Sequence, residues 1–337
     1  MSTSQTPRSI VKAMVRGEAP ARPLLMPLMF ALGARLENLS LRDFRLNPTR
    51  ITNALKQMRS VLKLDGLTCY FDSLLEMKAL GCNCVEDEQG ARIERALPRD
   101  VDALRERLQS PSFPTTSGPI NVACEVLRRL KWMLLDEPAL MVVINGPLAL
   151  AARLSEVETP TVAPASGILA DFAAEVSLNI SRVFAEAGAD VVVIRERWPS
   201  MMSHDEVRRW IESVEPIANL LRFYEALPVL LLEGVSGESV ALLANEFPDC
   251  ILIPLASDVS GLLPSLGRRL PGIALPESIF VADQSMPGGP AEASTSLTPE
   301  PALAFVTSSQ DVRSTADPKQ VALVLQHIRS HLSRSAR

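Results

Sequence analysis

Two carboxylates, Asp72 and Glu76, follow an apolar run within the stretch LTCYFDSLLEMKALGC, residues 67–82. Asp72 stands where the run gives way to an amphipathic segment, and Glu76 lies one helical turn further on. A carboxylate at such a junction either caps the following helix or is placed for proton transfer and charge stabilisation. These residues alone leave both interpretations of Asp72 open.

Arginine recurs after the other apolar runs, accompanied by a few acids. The charged residues in these positions are Arg35, Arg153, Arg195, Glu196, Arg197, Glu233 and Arg313. Guanidinium donors match two oxygens of a carboxylate or phosphate at once, which favours a pocket for an anionic small molecule. The substrate-binding residues expected for this pocket are Arg35, Glu76, Arg153, Glu196, Arg197 and Glu233. The alternative is that the arginines lie at exposed helix starts or form ion pairs with Glu196 and Glu233.

Residues suited to metal binding or nucleophilic catalysis are few. Cys82 and Cys84 form a C-x-C pair without a second pair or a nearby histidine to complete a site. His327 and His331 are spaced i, i+4 near the C-terminus, where two surface histidines are expected. The G-x-S-x-G, P-loop and paired C-x-x-C patterns are absent from the sequence. We therefore expect no metal site and no histidine-based triad.

Eight short apolar runs, separated by helical patterns, are predicted to be strands. They are Leu24–Phe30, Gly66–Phe71, Leu140–Asn145, Asp190–Arg195, Pro228–Glu233, Cys250–Leu255, Gly272–Leu275 and Leu303–Ser308. Most are apolar throughout, as expected of parallel strands covered on both faces. Eight strands alternating with helices predict an α/β fold, a single (β/α)8 barrel with its active site at the carboxyl ends of the strands. A doubly wound open sheet is the alternative, but no glycine-rich phosphate turn follows the first strand.

Two segments depart from this alternation within a single predicted domain, residues 1–337. The first, CNCVEDEQGARIERAL, is predicted to form a hairpin that turns at Glu88-Gln89-Gly90. The second, residues 283–301, is rich in Pro, Gly and Ser and is predicted to be a flexible loop between the last two strands. This loop is either a lid over the mouth or a loose insertion.

Composition excludes several classes of partner. The 337 residues are 47% apolar and carry a net charge of −5, which does not suit a nucleic-acid-binding protein. No apolar run is long enough for a membrane span, and the first twenty residues lack the apolar core of a signal peptide. Five cysteines without framework spacing indicate free thiols in a reducing, cytoplasmic setting.

The chain resembles the uroporphyrinogen decarboxylase superfamily, which includes porphyrinogen decarboxylases and corrinoid-linked methyltransferases. The segments that carry the resemblance are residues 22–82, INGPLALAARL, AEAGADVVVIRERWPS and TSSQDVRSTADPKQVALVLQHIR. The resemblance implies the eight-stranded barrel, and it implies that Asp72 is the catalytic carboxylate that contacts the pyrrole nitrogens of a tetrapyrrole. It therefore favours a functional role for Asp72. It also implies a decarboxylase that needs no cofactor, and a homodimer.

The sequence departs from both branches of that superfamily. Only Arg35, in ALGARL, is left of the decarboxylases' arginine-rich motif, Arg153 stands in place of a tyrosine, and Glu196-Arg197 replaces an Asp-Ser pair. The segments LLLEGVSG and VTSSQDV offer no His or Cys where the methyltransferases hold zinc. The leading hypothesis is a divergent decarboxylase for an anionic, tetrapyrrole-derived substrate. The alternatives are a methyltransferase with a corrinoid protein partner and a non-catalytic tetrapyrrole or corrinoid binder.

Overall fold

A computed structural model gives the fold of the chain. The residues described are 5–87, 90–95, 105–106, 108, 113, 118–135, 137–155, 167–198, 202–235, 239, 242–243, 246, 251–255, 272–281 and 303–335. Their strands are β1 (Leu24–Leu25), β2 (Gly66–Tyr70), β3 (Asn83–Asp87), β4 (Gly90–Arg95), β5 (Ala139–Asn145), β6 (Val191–Arg197), β7 (Leu227–Glu233), β8 (Ile251–Leu255), β9 (Gly272–Leu275) and β10 (Phe305–Ser308). The helices are α1 (Pro7–Val15), α2 (Phe30–Leu36), α3 (Leu41–Arg45), α4 (Pro48–Leu62), α5 (Leu75–Ala79), α6 (Pro119–Leu134), α7 (Pro147–Leu154), α8 (Ile168–Glu186), α9 (His204–Phe223), α10 (Ser278–Val281) and α11 (Pro318–Ser335).

The eight parallel strands form an α/β barrel in two hydrogen-bonded arcs. One arc has the order β2-β5-β6-β7-β8 and the other has the order β1-β10-β9. At one junction β8 contacts β9. At the other, the segment around β1 meets the start of β2, where the Asp65 carboxylate accepts a hydrogen bond from the Leu25 N–H at 2.8 Å. The expected barrel fold is confirmed.

The apolar strands are buried on both faces because helices cover the outside of the barrel. All seven residues of β5 are buried, as are the first four of β6, VVVI. Helices α4, α6, α8 and α9 pack on one another in chain order around the strands, and α11 packs on α4. This arrangement explains why these strands lack the alternation of apolar and polar residues that an exposed sheet shows.

A buried ion pair fastens α1 to the amino-terminal end of the barrel. The Asp190 carboxylate, just before β6, accepts hydrogen bonds from Arg8 Nε at 2.9 Å, Lys131 Nζ at 2.7 Å and the Leu140 N–H at 2.8 Å. One acid thereby joins α1, α6 and two strands at the end opposite the strands' carboxyl ends.

The predicted strands are confirmed at all eight positions, but the first is shorter than expected. The prediction that it continues to Phe30 is wrong, because β1 ends at Leu25 and Phe30 begins α2. Pro27 has no N–H to donate to a neighbouring strand. The Asp311 carboxylate then accepts hydrogen bonds from the N–H groups of Phe30 and Ala31, which starts the helix there.

The hairpin prediction is confirmed, since β3 and β4 pair in antiparallel register from Asp87 opposite Gly90 to Asn83 opposite Arg95. The segment 283–301 lies outside the described residues. No helix in the described part of the chain has both the length and the apolar character that a bilayer crossing requires.

Candidate active site

Strand β6 ends in three consecutive charged residues whose side chains leave the strand on opposite faces. Arg195 and Arg197 are two residues apart and share a face, whereas Glu196 points to the other. The Arg195 guanidinium lies 5.5 Å from the centre of the Phe71 ring, which follows β2, so this face is the barrel interior. Glu196 instead accepts a hydrogen bond from the Trp210 indole on the outer helix α9. The barrel mouth therefore receives the two arginines and not the acid between them.

Arg195 is the central cation of the mouth. Burial lowers the pKa of its guanidinium, the Glu233 and Asp311 carboxylates oppose that shift, and the positive charges of Arg153 and Arg197 add to it. These five groups come from the ends of β6, β7 and β10 and from α7. Positive charges from separate elements are thus held within electrostatic reach of one another.

Arg153, on α7, extends the same cluster towards β2. Burial lowers the pKa of Arg153, and among its neighbours Glu76 opposes the shift most strongly, Arg197 adds to it, and Asp72 and Cys84 oppose it. Arg153 therefore lies within electrostatic reach of Asp72 after β2, Glu76 on α5 and Cys84 on β3. One of the expected substrate-binding arginines is thus within electrostatic reach of the expected catalytic acid, Asp72.

Arg197 and Glu233 form the most open contact of the cluster. Arg197 Nε lies 3.9 Å from Glu233 Oε2, and both side chains are about half exposed. An ion pair this exposed stabilises the fold by at most about 1 kcal/mol, so an entering anion can displace it at little cost.

The Asp72 carboxylate is buried and has two partners. Its Oδ1 accepts a hydrogen bond from the Leu74 N–H at 2.9 Å, and its Oδ2 lies 2.6 Å from Lys78 Nζ. The hydrogen bond from Leu74 closes the turn that leads into α5. The contact with Lys78 is an ion pair, and the lysine side chain is 25% exposed. Asp72 therefore shapes the strand-to-helix turn and lies at the mouth as well.

Glu76 is fully buried behind Arg153. Its carboxylate accepts hydrogen bonds from the backbone N–H of Asn145 at 2.7 Å and from the Asn145 side-chain amide, which joins α5 to the end of β5. Burial raises the pKa of Glu76 to about 7, although the two Asn145 bonds and the charge of Arg153 act in the opposite direction. Glu76 can therefore change its charge near neutral pH next to an arginine of the mouth.

Glu196, expected among the substrate-binding residues, lies between the barrel and the outer helices. It accepts hydrogen bonds from the N–H groups of Leu148 at 3.2 Å and Ala149 at 2.8 Å and from Trp210 Nε1 at 2.8 Å. Burial raises the pKa of Glu196 to about 7, against the effect of these three donors. Its carboxylate is directed at the first turn of α7 and away from the mouth.

Arg35 is exposed on α2, and its guanidinium donates a hydrogen bond to the backbone carbonyl of Thr315. Within the residues that the structure describes, no contact joins it to the other expected site residues. The structure thus brings together Asp72, Glu76, Arg153, Arg197 and Glu233, and it places Arg35 and Glu196 elsewhere.

Two residues of the mouth are missing from the expected set. Arg195 could have been identified from the strand period of two, because it shares a face with Arg197. Asp311 lies three residues beyond β10, and its hydrogen bonds to Phe30 and Ala31 span about 280 residues of sequence. Burial raises the pKa of Asp311 to about 7. No local sequence pattern predicts the contact of Asp311 with Phe30 and Ala31.

The described residues contain no group of three or more His, Cys, Asp or Glu side chains arranged to hold a metal ion. No disulfide joins the described cysteines, which are Cys69, Cys82, Cys84 and Cys124.

A family model described as uroporphyrinogen decarboxylase (URO-D) matches residues 6–231. A curated uroporphyrinogen decarboxylase from Tolumonas auensis (strain DSM 9187 / NBRC 110442 / TA 4) is 23% identical over 227 residues, which are 62% of this chain. The chain spans 62% of the length of that relative.

Solved structures share the architecture over nearly the whole chain. A methyltransferase from Methanosarcina mazei superposes with a TM-score of 0.76 at 14% identity, covering 98% of this chain and 99% of that one. A B12-independent methionine synthase from Shewanella sp. W3-18-1, in complex with selenomethionine, superposes with a TM-score of 0.54 at 11% identity, covering 93% and 96%. At these identities the similarity establishes the fold alone.

Proposed function

Because the chain belongs to the uroporphyrinogen decarboxylase family, we propose that it is a divergent decarboxylase, a carbon–carbon lyase that acts on an anionic, tetrapyrrole-derived substrate without a cofactor. The observation that supports this proposal is that Arg153, Arg195 and Arg197 lie within electrostatic reach of one another, with Arg195 over the Phe71 ring and Asp72 within reach of Arg153. The same proposal places the protein in the cytoplasm, where free thiols stay reduced.

The three guanidiniums would hold the carboxylates of the substrate. Burial disfavours the charged forms of Arg153 and Arg195, and an anionic ligand would compensate them. Arg197 is about half exposed, so an entering ligand can reach it from solvent. Arginine suits this role because each guanidinium can donate two parallel hydrogen bonds to one carboxylate.

Asp72 would act on the reacting part of the substrate. A proton from solvent adds to a ring carbon and creates a cation, and a buried carboxylate beside it stabilises that charge. The carbon–carbon bond to the carboxylate then breaks, its electron pair forms a double bond that neutralises the cation, and carbon dioxide leaves. The carbon that lost the carboxylate then takes a proton from solvent, and the ring carbon returns its added proton to solvent. A substrate N–H would replace Lys78, whose ammonium occupies Oδ2 in the free protein. The turn bond from Leu74 to Oδ1 would keep the carboxylate in place.

The test is decarboxylation of uroporphyrinogen by wild-type protein and by Asp72→Asn, with folding checked by circular dichroism. We expect the variant to fold and to lose about 10²-fold or more in rate, because the stabilising charge is gone. Asp205→Asn, an exposed aspartate on α9, is the matched control and should keep the full rate. An Asp72→Asn enzyme that works at the wild-type rate would refute the proposed role.

Methyl transfer with a corrinoid protein partner is the second candidate, favoured by the superposition on the Methanosarcina mazei methyltransferase. In this candidate the same mouth would receive the methyl-group carrier. Loss of the methyl group from a methylated corrinoid protein, dependent on this chain, would support it. Binding of a tetrapyrrole or corrinoid without any turnover would instead indicate a non-catalytic binder.

A further inference from the structure

The start of α7 is built directly against the side chain of Glu196. A Cβ atom placed on Gly146 would overlap the Glu196 carboxylate, so a larger residue at this position would require the Glu196 side chain to shift. The Gly146 N–H also donates a hydrogen bond to the carbonyl of Arg195 at 2.7 Å. The end of β6 therefore holds this region in two ways. The backbone carbonyl of Arg195 binds Gly146, and the Glu196 side chain binds the first turn of α7.

The contacts of Glu196 satisfy groups that a helix start leaves open. The N–H groups of Leu148 and Ala149 have no acceptor within the helix, and the carboxylate supplies one for each. The negative charge also suits the positive end of the helix dipole. The third donor, Trp210 Nε1, ties the carboxylate to α9.

Helix α7 is short, and it carries an arginine of the mouth at its far end. It runs for eight residues from Pro147 to Leu154, with Arg153 about one and a half turns after Leu148. A helix of this length is not stable by itself, so its direction is set by its anchors. Helix α7 also packs on α8. We expect a change at its first turn to shift the Arg153 guanidinium relative to Arg195 and Arg197.

We propose that Glu196 is a positioning residue: it fixes α7 against β6 and thereby sets the spacing of Arg153 from Arg195 and Arg197. This inference rests on the proposed anion site. Strand β6 presents Arg195 and Arg197 to the barrel interior. Glu196, which lies between them, holds α7, the helix that carries Arg153. Glu196 acts on ligands through Arg153 and does not touch them.

The first experiment measures the affinity of the purified protein for benzenehexacarboxylate, a flat polyanion, by isothermal titration calorimetry. We expect Glu196→Gln to weaken binding about tenfold, because the displaced Arg153 would lose one charge-assisted interaction with the ligand. Glu212→Gln, an exposed glutamate on α9, is the matched control and should leave the affinity unchanged.

A double-mutant cycle separates positioning from general loosening of the structure. In the Arg153→Ala background, Glu196→Gln should have no further effect on affinity, because the group it positions is absent. An equal tenfold loss in that background would overturn the inference. Wild-type protein that binds no benzenehexacarboxylate would count against the proposed function.

Amide hydrogen exchange tests the anchor without any ligand, and so it decides the inference even where the proposed function fails. We expect faster exchange at Leu148–Arg153 in Glu196→Gln, with α8 unchanged. Unchanged exchange in α7 would overturn the inference. Trp210→Phe, which removes one of three donors, provides the same readout if the glutamine variant does not fold.

Discussion

Replacing Glu76 with glutamine should change how the stability of the protein depends on pH. Glu76 is fully buried, and its pKa is raised from its ordinary value of 4.5 to about 7. Between these values the folded protein holds a proton that the unfolded chain has released. The contribution of Glu76 to stability therefore falls as pH rises from 4.5 to about 7.

The magnitude follows from the interval between the two pKa values. Each pH unit is worth about 1.4 kcal/mol, so the full interval corresponds to about 3 kcal/mol. Glutamine cannot ionise, so residue 76 of the variant does not lower the stability of the protein as pH rises through this interval. It also changes the hydrogen bonds to Asn145, but that effect is nearly the same at every pH and cancels in a comparison between two pH values.

The assay is urea unfolding of wild-type protein and Glu76→Gln at pH 5 and pH 8. From the lower to the higher pH, the variant should gain about 2.5 kcal/mol in unfolding free energy relative to wild type, because pH 5 already lies inside the interval. Glu18→Gln serves as the control, because the Glu18 side chain is exposed and pairs with the exposed Arg16. Identical pH dependence in wild type and Glu76→Gln would refute the reasoning.

Three further substitutions test other contacts. Asp190→Asn should lower the unfolding free energy by about 3–5 kcal/mol, measured by urea unfolding, because it breaks the buried ion pair with Arg8 and the partly exposed one with Lys131; a loss under 1 kcal/mol would contradict this. Gly146→Ala should cost about 1–3 kcal/mol in the same assay, since its methyl group would overlap the Glu196 carboxylate; an unchanged midpoint would be the contrary result. Phe71→Leu should lower the thermal midpoint by the equivalent of about 1 kcal/mol, since the ring face under Arg195 is lost; a raised midpoint would count against that contact.

The barrel could be predicted from the sequence because its strands are buried on both faces. Runs such as LMVVIN and DVVVIR are apolar without alternation, and each is followed by a helical pattern. The hairpin could be predicted from its turn residues. The first strand was harder, because its end depends on Asp311, a residue about 280 positions away.

The candidate site was only partly accessible from the sequence for a related reason. The position of Asp72 after an apolar run identified it as a rim residue, but its ion pair with Lys78 depends on the fold of the intervening turn. Glu196 and Arg195 are neighbours in sequence and lie on opposite faces of β6, so proximity to the strand end alone does not distinguish the residue that faces Phe71 from the one that faces α9. The strand period separates them.

The most direct measurement of the anion site is the dissociation constant of benzenehexacarboxylate for wild-type protein, Arg195→Met and Arg182→Met, at fixed pH and salt. Arg182 is an exposed arginine on α8 and controls for the loss of one positive charge. If the mouth gathers the substrate's carboxylates, wild type and Arg182→Met bind alike, and Arg195→Met binds at least about tenfold more weakly. Equal affinity in all three proteins, or no binding by any of them, would contradict an anion site at the carboxyl ends of the strands.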